Sequence, residues 1–316
     1  MSALTITNIS VYIPNNTVSI DELFTSLPSD AIPSLNLGMD DYLEYIQSDL
    51  GYTSIRTAGR LKDTDLLIEA ADQLFDLDIV APDDIDFLFM AQESDVIQKE
   101  NPGQFLQMEF DMKGAKIMTI SGHHCANVDA ALYMANCIAT SDPSIEKVII
   151  SGVVTIPSVE ARLVGSYGIL GDAATCILLE RNAKSGLKLV NQHMVSAGLL
   201  HEIDLSKDVS LLLCKYYTLC LSELMEKSGF SDEDIDHIII QNANTSLINQ
   251  CLSAVDLNLD KVFTDNLTTY GHLDSIDLPL NLRDLMEKGI KDGAHILTFG
   301  SGINGSFIAS IFNYSA

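Results

Sequence analysis

Tryptophan is absent from the 316 residues and basic side chains are scarce: 18 Lys and Arg stand against 44 Asp and Glu, a formal net charge of −26. A surface this acidic repels phosphate backbones, which argues against a nucleic-acid partner. An acidic protein partner would need a local basic patch, and the few cations are thinly spread. No apolar run nears the roughly 18 residues of a membrane helix. The start, Met1-Ser2-Ala3-Leu4-Thr5, lacks the basic and apolar parts of a secretory signal. The cytoplasm is the expected location. Six cysteines (Cys125, Cys137, Cys176, Cys214, Cys220 and Cys251) show no zinc-type pairing, so no metal site is implied and a reducing compartment keeps them as thiols.

What is present is a soluble, globular composition, 47% hydrophobic and 20% charged, in which apolar β-rich runs alternate with amphipathic helical stretches. That alternation predicts an α/β architecture. The pattern also repeats. Pro82-Asp83-Asp84-Ile85-Asp86-Phe87 to Gln92 reads as an acidic turn entering a buried strand, and Ser231-Asp232-Glu233-Asp234-Ile235-Asp236-His237 to Gln241 echoes it. Helical spacing precedes each, over Thr64 to Phe75 and Val209 to Lys227. Further on, Gly122-His123-His124-Cys125 leads through a helix to the strand Val148–Gly152, and Gly271-His272-Leu273-Asp274 leads through another to His295–Gly300. Two duplicated halves follow, residues 1–183 carrying Cys125 and residues 184–316 carrying Gln241, His272 and a glycine turn; chance likeness between ordinary α/β units is the alternative.

Equivalent halves pack about a pseudo-twofold axis, and loops beyond strand ends carry chemistry in such sheets. The loops at Cys125, Gln241, His272 and Gly300 are therefore expected to meet. Cys125 lies between a strand-like run, residues 115–120, and a helix start, where the helix dipole favours a thiolate. It is the candidate nucleophile, with His272 as base and donor and Gln241 as an amide donor to a thioester carbonyl. The turn Phe299-Gly300-Ser301-Gly302 and the N–H of Cys125 supply candidate oxyanion donors. Plainer readings stand beside these: a buried structural cysteine, a surface histidine, Gln241 and Asn244 as helix caps, and glycines that only shape a turn. His123 and His124 rank below Cys125, because their direction does not follow from the sequence.

With these residues in view the chain resembles the thiolase superfamily, specifically the β-ketoacyl-acyl-carrier-protein synthase III group. The landmarks, in order, are Tyr12-Ile13-Pro14, Ser54-Ile55-Arg56, Asn101-Pro102, the Cys125 turn, Gly171-Asp172-Ala173-Ala174, Gln241-Asn242-Ala243-Asn244, Tyr270-Gly271-His272 and Phe299-Gly300-Ser301-Gly302. The resemblance implies a five-layered αβαβα fold and a homodimer or a heterodimer with a homologous synthase. It also implies an acyl group carried on Cys125 as a thioester, and Asn244 and Arg56 as substrate-binding residues. No cofactor is implied beyond the acyl-CoA or acyl-carrier-protein thioester that serves as substrate.

The group's motif matching Gln241-Asn242-Ala243-Asn244 begins with histidine, and asparagine usually stands at the place of His272. Here one imidazole and one carboxamide are kept, but their loops are exchanged. Both can donate to a thioester carbonyl, so decarboxylative condensation stays open. A single base beside an acylated cysteine also suits transfer to an oxygen or nitrogen nucleophile. The group's adenine-stacking indole is missing, Ser246 stands where a carrier-docking arginine is expected, and the stretch from Gly186 to Asp208 is short. The expected function is an acyltransferase or condensing enzyme of specialised, polyketide- or fatty-acid-derived metabolism. Alternatives are a non-catalytic subunit that completes a heterodimer with an active homologue, and a hydrolase of the acyl-cysteine.

Overall fold

Strands and helices fall along the chain where apolar periodicity places them. The structure, a computed structural model, describes residues 4–28, 37–92, 101–200 and 210–316. First come β1 (Leu4–Tyr12), β2 (Asn16–Ser19), α1 (Ile20–Thr25), α2 (Met39–Glu44) and β3 (Ser54–Thr57). There follow α3 (Asp63–Phe75), β4 (Phe87–Ala91), α4 (Pro102–Glu109), β5 (Lys116–Ile120), α5 (Asn127–Ser141), β6 (Lys147–Val154) and β7 (Ala173–Arg181). The remainder is β8 (Gly186–Ser196), α6 (Ser210–Ser228), β9 (His237–Ile240), α7 (Thr245–Ser253), α8 (Asp277–Lys288), β10 (His295–Gly302) and β11 (Ser306–Ser315). Of the short stretch from Gly186 to Asp208, β8 and the turn Gly198–Leu200 are described, and residues 201–208 lie outside the described residues.

Nine strands run in the order β5-β4-β6-β7-β1-β8-β11-β10-β9. The seam at β1 and β8 is only two residue pairs wide, Thr5 with Lys188 and Ile6 with Leu187. On one side of it β5, β4 and β6 are parallel, and β7 and β1 antiparallel. On the other, β9 and β10 are parallel, and β11 and β8 antiparallel. The edge place held by β5 is marked there by one parallel bridge, Ile238 to Val262. The two orders thus match outward from the seam. Even the acidic turns correspond: Asp86 accepts the N–H of Lys147 at the start of β6, and Asp236 that of His295 at the start of β10.

Side-chain alternation along the strands divides the core into layers. Phe87, Phe89 and Ala91 of β4 join Val128 and Ala131 of α5 and Leu278 and Leu282 of α8, whereas Leu88 and Met90 join Leu66 and Leu67 of α3 and Leu106 of α4. Across the seam, Ile239 of β9 and Ile296 of β10 belong to the same central core. Their neighbours Ile238, Ile240, Leu297 and Phe299 pack with Leu213 and Tyr217 of α6 and Ile248 and Leu252 of α7. The result is five layers, αβαβα, with α5 and α8 in the middle. Helix α8 buries Leu278, Pro279, Leu280, Leu282 and Leu285 together with the polar Asp277 and Asn281, and its other charged residues gather in the last turns. Among the described residues no helix is long and apolar enough to cross a membrane.

Candidate active site

The central helices α5 and α8 begin side by side, each after a turn built in the same way. One 3₁₀ turn, His124–Ala126, precedes α5 and another, Asp274–Ile276, precedes α8. Each opens on a left-handed residue, His124 at φ 47° and Asp274 at φ 55°. Each is tied back by the first helical residue: Asn127 accepts the His123 N–H at 3.0 Å, and Asp277 accepts the Leu273 N–H at 2.8 Å. Helix N-termini leave N–H groups without intrahelical partners, and these side chains satisfy one in each turn. A Cβ on Gly302 would collide with the His123 carbonyl oxygen. Glycine there serves close approach of β10 to the cysteine turn.

Between the turns lies a chain of three side chains. The Nε2 of His272 is 3.3 Å from Cys125 Sγ, and its Nδ1 is 2.5 Å from Asp277 Oδ2. Asp277 is fully buried, and its Oδ2 also accepts the Asn242 N–H at 2.7 Å. Because a carboxylate only accepts, Nδ1 carries the proton and Nε2 turns its lone pair towards the sulfur. Burial works to lower the pKa of His272, but Asp277, with a smaller contribution from Asp274, raises it on balance. The arrangement is that of a nucleophile, a base and an orienting carboxylate.

A fourth group touches the sulfur. Cys125 Sγ donates to Asp274 Oδ2 at 3.1 Å. Enclosure of the sulfur, followed by the Asp274 carboxylate, pushes the thiol well above its ordinary pKa. At an effective dielectric constant of about 20, a thiolate so close to a carboxylate costs about 5 kcal/mol, whereas a helix N-terminus returns at most about 2. The resting sulfur is therefore a thiol, although its position at the start of a helix favours the thiolate.

Gln241 reaches the same place but is fully engaged. Its Nε2 donates to the carbonyl oxygens of Cys125 at 2.7 Å and Ser301 at 3.2 Å, and its Oε1 accepts the Ser301 N–H at 3.0 Å. Gln241 thus ties β9 to β10 and to the cysteine turn; neither its amide nor the Ser301 N–H is aimed at the sulfur. The Ser301 hydroxyl pairs with Tyr217 at 2.5 Å. Asn244 caps α7 by accepting the Leu247 N–H at 3.0 Å, and its Nδ2 donates to the Ser166 carbonyl at 2.9 Å. Arg56, on β3, lies over the Tyr270 ring at 5.7 Å and donates to the Asn15 carbonyl at 3.3 Å. His123 Nδ1 pairs with the Ser306 hydroxyl at 3.0 Å.

Asp274 and Asp277 are the residues that sequence reasoning passed over. The available signal was the spacing His272-x-Asp274-x-x-Asp277, but acids there read first as favourable charges at a helix start. Asp274 also lines a cavity of about 170 Å³, with Asp63, Gln92, Asn127, Thr155 and Ser275 among its walls. Among the described residues no group of three or more His, Cys, Asp or Glu side chains is set to hold a metal ion.

Two α/β halves meeting over paired central helices, with a cysteine at the start of one, define a thiolase-type fold. Residues 225–314 match the family described as 3-oxoacyl-[acyl-carrier-protein] synthase III, C terminal. Over 282 residues the chain is 22% identical to the β-ketoacyl-[acyl-carrier-protein] synthase III of Clostridium acetobutylicum, covering 82% of this chain and 86% of that protein. The crystal structure of the Aquifex aeolicus synthase III superposes with a TM-score of 0.81 at 19% identity, over 98% of this chain and all of the other. ChlB3, an acyltransferase, gives 0.81 at 17% identity, covering 99% and 98%. The chain is similar to the synthase III proteins along most of its length, and it shares their fold.

Proposed function

We propose that this protein is an acyltransferase that takes an acyl group from a CoA or carrier-protein thioester onto Cys125 and passes it to a second substrate. The setting is cytoplasmic, specialised metabolism, polyketide- or fatty-acid-derived. The observation that carries the reading is the chain from Cys125 Sγ through His272 to Asp277, at 3.3 and 2.5 Å. The thiol hydrogen, which rests on Asp274, turns to His272 Nε2 and passes to it as the sulfur attacks the donor carbonyl, and His272 then gives the proton to the departing thiolate. Asp277 holds the tautomer this requires and stabilises the imidazolium. The Cys125 N–H, in the turn that enters α5, is the donor assigned to the developing oxyanion.

Transfer is favoured over decarboxylative condensation. Condensation needs neutral donors that stabilise an enolate, but Gln241 is spent on backbone groups and His272 is held as a base. The printed activities of the relatives, synthase III and acyltransferase, support an acyl-thioester substrate, and the relatives' name supports an acyl carrier protein as a donor. A homodimer, or a heterodimer with a homologous synthase, remains part of the proposal.

Intact-mass measurement after incubation with short and medium acyl thioesters tests it. An acyl adduct should form and be absent in Cys125→Ala. No adduct with any donor would refute the reading. The second reading, a silent subunit, draws on Asp274 holding the thiol neutral and on the occupied Ser301 N–H. Turnover by the chain on its own excludes it.

A further inference from the structure

We propose that Asp274 is the base of the second step, taking a proton from an amine that arrives as an ammonium ion and attacks the Cys125 thioester. This rests on the acyl-cysteine reading above, and adds to it the acceptor class and the acceptor's base. In the free enzyme Asp274 Oδ1 accepts the Ser275 N–H at 2.6 Å, and Oδ2 accepts the Cys125 thiol at 3.1 Å. Acylation removes the sulfur-bound proton. Oδ2 then loses this donor while standing beside the sulfur that carries the reactive carbon. An N–H entering from the cavity restores the hydrogen bond and places its nitrogen next to the thioester.

His272 is differently placed. Its Nδ1 is committed to Asp277 and its Nε2 faces the sulfur, which suits it to return a proton to the leaving thiolate. The cavity wall selects the acceptor. Asp63 and Asp274 line it together with Gln92, Asn127 and Thr155, and its lining among the described residues contains no Lys or Arg. Two carboxylates favour a cation and disfavour an acceptor bearing its own carboxylate, so selectivity includes a repulsive part.

Atoms and charges balance. One ammonium proton passes to Asp274, and the freed nitrogen lone pair forms the C–N bond with the thioester carbon. As the C–S bond breaks, a second N–H proton passes through His272 Nε2 to the sulfur. The products are an amide, the Cys125 thiol and a proton that Asp274 releases to water.

The test follows the acyl adduct of the whole protein by mass spectrometry after n-butylamine is added. Wild type should discharge to the amide. Asp274→Asn should still load, yet discharge to butylamine at least about 10²-fold more slowly. Hydroxylamine, uncharged at neutral pH, should discharge both proteins at rates within a few-fold of each other, which a merely structural role would not produce. Asp274→Ser takes the place of Asp274→Asn if that variant does not fold. Discharge of the variant to butylamine at the wild-type rate overturns the proposal. So does wild-type discharge to glycolate as readily as to butylamine. If wild type forms no adduct, the acyl-cysteine reading fails and this proposal falls with it; if it loads but ignores amines, only this proposal falls.

Discussion

Replacing Asp129 by asparagine should stabilise the protein above neutral pH and do much less in acid. Asp129 lies in the first turn of α5, is 6% exposed, and its Oδ2 has no hydrogen-bond partner. It faces an apolar slot between the sheets, walled by Ile6, Val128, Leu132, Leu278 and Phe312, and its Oδ2 would lie 2.7 Å from a Cβ on Gly300. Burial pushes its carboxyl from 3.8 up to about 7. Between those values the folded protein holds a proton that the unfolded chain has released, so stability falls as pH rises through that window and is flat above it. At 1.36 kcal/mol per unit the full penalty is about 4 kcal/mol, of which roughly half has accrued by pH 5.5. The gain from Asp129→Asn should therefore be about 2 kcal/mol larger at pH 8.5 than at pH 5.5. Urea unfolding of both proteins at the two pH values measures this. An equal difference at both would refute the claim that burial raises this carboxyl.

Asp277→Asn removes the acceptor that fixes the His272 tautomer, and should slow acylation by about 10³-fold or more in single-turnover mass measurements, with the fold retained. Because the Cys125 thiol is raised above its usual range, iodoacetamide should label it more slowly than exposed Cys137 at neutral pH. Its rate should climb only as pH rises past 9, and Asp274→Asn should bring the climb to lower pH; peptide mapping resolves the two sites. Arg162 holds Asp172 through paired bonds of 2.9 and 2.8 Å, both side chains being buried. Arg162→Met should cost about 3–5 kcal/mol in urea unfolding, since the carboxylate is left buried without its cation. Gly302→Ala should displace the cysteine turn and abolish loading even where circular dichroism is unchanged.

The α/β alternation and the repeated unit were legible because acidic turns entering buried strands recur in the two halves, whereas the five layers came with the family resemblance. Cys125 was legible because a glycine between a β-rich run and a helical period marks a strand-to-helix turn. His272 was found through the echo of that turn in the second half. Gln241 was placed in the right loop, but its donor role required knowing that the Ser301 backbone would stand opposite it, a contact across 60 positions. For Asn244 the plainer reading, a helix cap, describes its Oδ1 contact. Asp277 was hidden because an acid in the first turn of a helix already has a local reason to be there.

That local reason and the role proposed for Asp277 draw on the same interaction, used twice. Asn127 and Asp277 occupy corresponding places and perform the same capping task, each accepting a main-chain N–H four residues back. An amide suffices for the cap. A carboxylate at the second place does more, because its other oxygen accepts the imidazole N–H and turns Nε2 towards the sulfur. The left-handed residues opening the two turns diverge in the same way: His124 stands beside Cys125 in the chain, while Asp274 reaches across to it. The two halves thus present two equivalent helix starts, and the acidic side chains of the second reach the cysteine of the first, Asp274 directly and Asp277 through His272. Exchanging Asp277 for the asparagine used at the other turn should keep the Leu273 cap, lose the His272 tautomer and leave the Asn242 N–H facing an amide, so acylation should fall by about 10³-fold while stability loses only about 1–3 kcal/mol.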